Sequence, residues 1–145
     1  MPLNEIVQRE MASCKPSDSV FDVAQIMKDK AVGAVVVLES RKPVGILTDR
    51  DLVLRCLTQP MDLSLTTAEE VMSPAVETVL ATAGIYDVTK KMKQAWVRRV
   101  VIVDEAGDAV AVLSFDDVFD LIAEEITNLK EVIKPLVPKF VDQAA

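Results

Sequence analysis

Histidine is absent from the 145 residues of this chain. That excludes Ser-His-Asp and Cys-His nucleophilic catalysis and most zinc sites together. Glycine is nearly as scarce, at four residues. Gly33, Gly45, Gly84 and Gly107 lie too far apart for a GxGxxG or Walker-type phosphate loop. Aromatic residues make up 4%, which leaves little to build a base-stacking platform for single strands. The two cysteines, Cys14 and Cys56, have no CxxC spacing and sit in apolar surroundings, as buried reduced thiols do. No apolar run approaches the roughly 20 residues of a membrane-spanning helix, and residues 1–10 lack the basic-then-apolar layout of a signal peptide. The expectation is a soluble cytoplasmic protein that is not an enzyme of hydrolytic, kinase or dinucleotide type.

What remains is globular in composition: 50% hydrophobic and 27% charged, with 16 basic and 23 acidic side chains and a net charge of −7. Such a balance argues against binding nucleic acid polymers, which need concentrated positive charge. It does not exclude a small anionic ligand, because a local arginine pair outweighs charge lying beyond a Debye length of about 8–10 Å.

The chain repeats itself. Val20-Phe21-Asp22-Val23 recurs as Ile85-Tyr86-Asp87-Val88, and Val35-Val36-Val37-Leu38 as Val100-Val101-Ile102-Val103, in the same register. With one extra residue in the intervening turn, Val44-Gly45-Ile46-Leu47-Thr48-Asp49-Arg50-Asp51 falls on Val110-Ala111-Val112-Leu113-Ser114-Phe115-Asp116-Asp117. Two related units are implied, 1–60 and 61–124, with 58–68 as the connecting stretch. In each, apolar residues at helical spacing (Val20, Val23, Ala24, Met27; then Ile85, Val88, Met92) precede an apolar run fit for a strand covered on both faces. A polar turn, a second strand and a second helix opening at Asp51 or Asp117 follow, with a leading strand near Met11 or Val76. The fold class is α+β, two β-α-β-β-α units.

The last helix outlasts its counterpart. Its stripe runs Val118, Leu121, Ile122, Ile126, Leu129, Ile133 until Pro135 stops it, so 125–145 reads as a helical extension and tail, with Glu124 and Glu125 opposed by Lys130 and Lys134. It either packs on its own core or offers a dimer or partner surface.

Thr48-x-x-Asp51 and Ser114-x-x-Asp117 sit where a strand ends and a helix begins. The pattern is close to a capping box, which satisfies orphan amides at a helix N-terminus. It also suits a nucleotide: the helix end attracts phosphate, the hydroxyl donates to it, and the carboxylate accepts from ribose hydroxyls. That the acid is Asp twice, where Glu is the usual capper, favours ribose.

Together these motifs, with Val32-Gly33-Ala34-Val35-Val36-Val37 and its counterpart, resemble a tandem pair of cystathionine β-synthase (CBS) domains, a stand-alone Bateman module, over about residues 3–124. The resemblance implies a pseudo-two-fold pair enclosing two clefts for AMP, ADP, ATP or S-adenosylmethionine, with Mg²⁺ only as carried by a nucleotide. It further implies homodimerisation and regulation of a partner protein. It makes Asp51 and Asp117 ribose acceptors, and Thr48 and Ser114 hydroxyls beside ribose or phosphate. Ile46 and Val112 become the adenine or ribose wall, and Arg98 and Arg99 phosphate ligands. Arg50 and Asp116 lie within the motifs as further candidates, while Ile6, Met11, Val71 and Val76 would supply apolar wall from the opposite unit. Three departures predict unequal sites. Gly33-Ala34 replaces the basic pair, Ala111 replaces Gly45 and narrows the second cleft, and Phe115 either stacks on a ligand or blocks it. Phosphate is expected in the cleft of Ser114 and Asp117, beside Arg98 and Arg99. The competing reading is an interaction protein with empty clefts whose motifs are helix caps only.

Overall fold

A run of four apolar residues cannot alternate between wet and dry faces, so the strands that carry such runs need cover on both sides. The computed structural model describes Leu3 and residues 10–133; Ile6, Lys134, Pro135 and the tail lie outside the described residues. The elements are β1 (Ser13–Cys14), α1 (Val20–Lys30), β2 (Ala34–Glu39), β3 (Lys42–Thr48) and α2, one turn at Asp49–Asp51 that continues with π-type pitch at Leu52–Cys56. There follow α3 (Ala68–Val71), β4 (Thr78–Leu80), α4 (Ile85–Ala95), β5 (Arg99–Val103), β6 (Ala109–Ser114) and α5 (Phe115–Ile133). Two three-stranded sheets result, β1-β2-β3 and β4-β5-β6. In each a short leading strand runs parallel to the central one, which forms an antiparallel hairpin with the third. The α+β repeat read from the sequence is therefore the architecture observed.

Alternation along the central strands feeds two different cores. Val35 and Val37 point at α1, joining Val20, Val23, Met27 and Leu47. Val100 and Ile102 do the same in the second unit with Val88, Met92, Leu113 and Val118. The residues between them point the other way, and Val36, Val101 and Val103 form a third buried cluster. That cluster joins the two sheets face to face. Burying each such side chain is worth about 1.5–3 kcal/mol, so a unit without its partner would expose one whole face of its sheet.

Packing also crosses the expected division at 60/61. The connecting stretch folds back on the first unit: the Val20 amide donates to the Thr66 carbonyl (2.8 Å), and the Ala68 amide to that of Asp18 (2.7 Å). Ala68 and Val71 of α3 complete the first core, while Leu3 is buried in the second. Each unit is thus closed by a segment that precedes the other unit in sequence.

Gly45 has no left-handed backbone to serve; Gly107 is the described glycine with positive φ. What Gly45 supplies is space, since a Cβ there would run into the Met72 side chain. Burial pushes the Cys14 thiol up to about 12 and raises that of Cys56, as befits inert thiols. On α5 only Val118 and Leu121 are buried; Ile122, Ile126, Leu129 and Ile133 are exposed. Of the two alternatives for the long helix, packing on its own core holds only through its second turn.

At the far end of the strands the two hairpin turns meet. Ser40 and Arg41 both adopt positive φ (49° and 68°), the handedness a two-residue hairpin demands. The Arg41 carbonyl accepts from the Ala109 amide at 2.9 Å. Lys42 Nζ lies 2.6 Å from Asp108 Oδ1, Arg41 Nε lies 3.3 Å from Oδ2, and Lys42 also donates to the Ala106 carbonyl. The hydrogen bond from Lys42, with the charges of Lys42 and Arg41, holds the Asp108 carboxyl below its ordinary value. A carboxyl depressed on folding stabilises the fold above its unfolded pKa, about 3.9 for Asp, and that contribution is lost as pH falls through the folded value. Melting temperatures measured from pH 6 downwards should therefore show Asp108→Asn less stable than the parent at about pH 6, well above the unfolded pKa of about 3.9. The two curves should converge under acid conditions.

Candidate functional site

The inward-facing parity that builds the junction cluster continues to the ends of the strands. Ala34 stands opposite Thr48 and Arg99 opposite Ser114 in the two hairpins, so these four positions are equivalent under the repeat. They border two clefts between the units. The first, of about 220 Å³, combines Ile46, Thr48 and Asp51 with Ser73, Val76 and Glu77 ahead of β4 and with Val97, Arg98 and Arg99. The second, of about 300 Å³, combines Val112, Ser114 and Asp117 with Glu10, Met11 and Ala12 ahead of β1 and with Gly33, Ala34 and Arg99. Antiparallel pairing of Ile46 with Ser73, through hydrogen bonds of 3.1 Å both ways, closes one wall of the first cleft.

Each cleft floor is a capped helix start. The Asp51 amide donates to Thr48 Oγ1 (3.1 Å), and the Thr48 amide donates to Asp51 Oδ2 (3.0 Å). In the second unit the Asp117 amide donates to Ser114 Oγ (3.1 Å), while Asp117 Oδ2 accepts from both the Ser114 amide and its hydroxyl at 2.8 Å. Both are complete capping boxes, as the spacing predicts. A carboxylate has about four acceptor positions, so a reciprocal cap does not exhaust it. Asp51 Oδ1 is also 3.4 Å from Arg55. Arg55 in turn donates to the Val71 carbonyl (2.8 Å) and to Ser73 Oγ (3.0 Å). It ties the carboxylate to the opposite wall.

The residues singled out from sequence divide clearly. Thr48, Asp51 and Ile46 share one cleft, and Ser114, Asp117 and Val112 the other. Met11 and Val76 line opposite clefts, each across from the other unit's motif, whereas Val71 is buried in the first core. Arg50 is exposed on the outer side of its helix turn and lines neither cleft. Asp116 is exposed too, 4.0 Å from Arg98. Phe115 neither stacks in nor blocks a cleft. It lies with Phe119 against α4, its ring 5.3 Å below the Arg98 guanidinium. Nor does Ala111 make the second cleft the smaller one. The expected pairing of both arginines with the Ser114–Asp117 cleft also needs correction: Arg98 lines the Thr48–Asp51 cleft, and only Arg99 reaches both. Adjacent residues at a strand start point to opposite sides, so the pair is split.

Arg55, Glu77 and Glu10 were not foreseen. Arg55 was accessible from its i+4 spacing to Asp51. The acids had no signal: Glu77 pairs with Lys91 at 3.3 Å and Glu10 with Lys30 at 2.5 Å, contacts between residues far apart in sequence. The hydrogen bond and charge of Lys30 hold the Glu10 carboxyl below its ordinary value.

Comparison with known proteins agrees with this geometry. The family model described as CBS domain matches residues 3–57 and again 68–124. The chain is 30% identical over 115 residues to the CBS domain-containing protein YhcV of Bacillus subtilis, spanning 79% of this chain and 81% of that one. Against the CBS domain-containing protein CBSCBSPB3 of Arabidopsis thaliana the identity is 27% over 139 residues, 93% of this chain but 25% of that longer protein. The solved structure of CBS domain protein PAE2072 from Pyrobaculum aerophilum, complexed with AMP, aligns with a TM-score of 0.71 at 28% identity, covering 81% of this chain and 89% of that one.

The caps carry stability whatever else the motifs do. Thr48→Ala and Ser114→Ala should each lose about 0.5–2 kcal/mol in urea titrations, measured without added ligand.

Proposed function

The chain belongs to the CBS domain family, and from that premise we propose that it is a non-catalytic regulatory module that binds an adenosine nucleotide between its two repeats and signals to a partner protein. The observation that carries this reading is the double occurrence of one constellation. A hydroxyl and a carboxylate stand at a helix start, an aliphatic residue lies two positions before them, and the wall opposite comes from the other unit. Helix N-terminal amides and dipole favour phosphate. Asp51 and Asp117 would accept from ribose hydroxyls, Ile46 and Val112 would flank the base, and Arg98 and Arg99 would meet the phosphate through charge-assisted hydrogen bonds. The AMP bound by the Pyrobaculum aerophilum protein supports the ligand class. AMP, ADP and ATP, with Mg²⁺ carried by the nucleotide, are the preferred ligands and S-adenosylmethionine the alternative. Cytoplasm is the compartment that goes with this reading.

Signalling requires the ligand to favour one of two states. Asp117 lies in the first turn of the helix whose exposed apolar face extends to Ile133, so a ligand on the second motif acts at the root of an exposed surface. That surface, with Val53 and Leu54 exposed on α2 and Leu57 just after it, is the proposed contact for a homodimer and for the regulated partner. The competing reading is an interaction module with empty clefts, in which the two motifs serve as helix caps, and both capping boxes are fully made.

Calorimetric titration of AMP, ADP, ATP and S-adenosylmethionine into protein stripped of ligand decides between them. Binding should appear with at least one adenosine nucleotide and weaken by about tenfold or more, 1.4 kcal/mol, in Asp51→Asn or Asp117→Asn. Silence from all four compounds refutes the sensor and leaves the caps as caps.

A further inference from the structure

Phe115 stands where the first motif has Asp49 and lines neither cleft, yet it touches a residue that lines one. Backbone register brings the two together. The pair of Arg99 with Ser114 ends the β5–β6 hairpin, and one step beyond it the Phe115 amide donates to the Arg98 carbonyl at 2.7 Å. Residues opposite one another in an antiparallel pair project to the same side, and the guanidinium carbon of Arg98 lies 5.3 Å from the centre of the Phe115 ring. The first unit repeats this backbone, its Asp49 amide donating to the Gly33 carbonyl at 3.0 Å. A Cβ on Gly33 would stand 3.2 Å from Asp49 Oδ2, so side chains at these two positions meet in either unit. The first unit fills them with a hydrogen and a carboxylate, the second with a guanidinium and a ring.

Arg98 lines the cleft of Thr48 and Asp51, and its side chain is 76% exposed. A long side chain in that setting samples many rotamers, and ordering it on binding costs affinity. Two partners on the first turn of α5 stand within reach. The Asp116 carboxylate, at 4.0 Å and 84% exposed, contributes little, as exposed ion pairs do. The ring is the better holder. A guanidinium over an aromatic face is attracted by the ring quadrupole and keeps its own N–H donors for another acceptor. The ring is itself fixed, 6.4 Å from that of Phe119, in the groove that Met92, Val97 and Ile122 line between α4 and α5. Resting on the nucleotide reading above, we propose that Phe115 is a positioning residue for phosphate in the first cleft: its ring holds the Arg98 guanidinium ready while leaving the donors free for the anion. Phe115 touches no ligand itself. The first turn of α5 thereby serves both clefts, because Asp117 lines the second and Phe115 steadies a residue of the first.

The test is calorimetric titration of AMP, or of ADP or ATP where AMP is silent, into the full chain. The proteins are the parent, Phe115→Leu, Phe115→Tyr, Arg98→Ala and the double variant of Phe115→Leu with Arg98→Ala. Affinity is read at the site that Asp51→Asn weakens. Phe115→Leu keeps the groove apolar but removes the ring, and should weaken that site by about two- to fivefold, the scale of an exposed cation–π contact. Phe115→Tyr keeps a ring face and should restore it. In the Arg98→Ala background Phe115→Leu should have no further effect, which a merely structural role for the ring would not produce. An equal loss from Phe115→Leu with and without Arg98 overturns the proposal, as does parent-like binding by Phe115→Leu or by Arg98→Ala; each leaves nucleotide binding intact. If Arg98→Ala binds too weakly to titrate, Phe115→Leu against Phe115→Tyr decides, and equal affinities overturn the proposal. Phe115→Met takes the place of Phe115→Leu if the latter does not fold by circular dichroism. Binding of S-adenosylmethionine alone overturns the phosphate role and keeps the adenosine reading. Silence from AMP, ADP, ATP and S-adenosylmethionine alike refutes that reading and the positioning role with it.

Discussion

Everything in this molecule depends on one constraint: the central strand of each sheet is covered on both faces, so one strand serves two cores. Val35 and Val37 close the first unit, Val100 and Ile102 the second, and Val36, Val101 and Val103 join them. Neither unit has a second layer of its own for the junction face. The pseudo-two-fold arrangement follows, and so do the clefts, which lie where the junction face runs out of apolar residues and ends in Ala34, Arg99, Thr48 and Ser114. The exchange of closing segments strengthens the coupling: α3 completes the first core and Leu3 enters the second. A change of angle between the units therefore cannot be local to either one.

On the reading proposed above, the capping boxes are a structural device that doubles as a binding site. Amides at a helix start need acceptors, and Thr48, Asp51, Ser114 and Asp117 provide them. The same arrangement fixes a hydroxyl, a carboxylate and a positive dipole end at the floor of each cleft. Preorganisation lowers the entropy lost on binding, and here it is supplied by folding itself. Arg55 extends the effect: it reaches from Asp51 to Val71 and Ser73, so the carboxylate is held from its own helix and from the facing wall. Separating cap from ligand contact by mutation is correspondingly difficult at Asp51 and Asp117. Arg99, which makes no cap, is the cleaner probe.

Much of the fold was legible because the repeat is written twice. A register of 65 or 66 residues placed the helices, the hairpins and both S/T-x-x-D motifs, and strand alternation distinguishes Val35 from Val36 without coordinates. Legibility ended where residues distant in sequence meet. The split of Arg98 from Arg99 follows from parity once the axis between the units is located, but no stretch of sequence locates that axis. The wrapping of 58–68 over the first unit rests on backbone hydrogen bonds such as that from Val20 to Thr66, and backbone leaves no mark on side-chain pattern. Glu77 and Glu10 enter the clefts from leading segments whose apolar members alone were visible. Periodicity marked the stripe on α5 but could not say that Val118 and Leu121 would be buried while Ile126 and Leu129 stay exposed.

The pattern of divergence between the units has a physical reading. Pairs that fill cores stay apolar and similar in size: Val23 with Val88, Met27 with Met92, Val37 with Ile102, Leu47 with Leu113. Pairs that form cleft floors keep their chemistry, Thr48 with Ser114 and Asp51 with Asp117. Two pairs that differ sharply, Gly33 with Arg98 and Ala34 with Arg99, flank the pseudo-two-fold axis. A side chain on such an axis confronts its own counterpart, and two guanidiniums facing one another without an anion between them repel. Charge within a few ångströms outweighs the rest of the surface, so symmetry there is the costly arrangement and one arginine facing a glycine and an alanine is the relaxed one. Asymmetry at the axis then passes to both clefts at once, because the single long side chain left there borders each of them. Duplication supplies two sites of one design; the axis between them is where they cease to be equivalent.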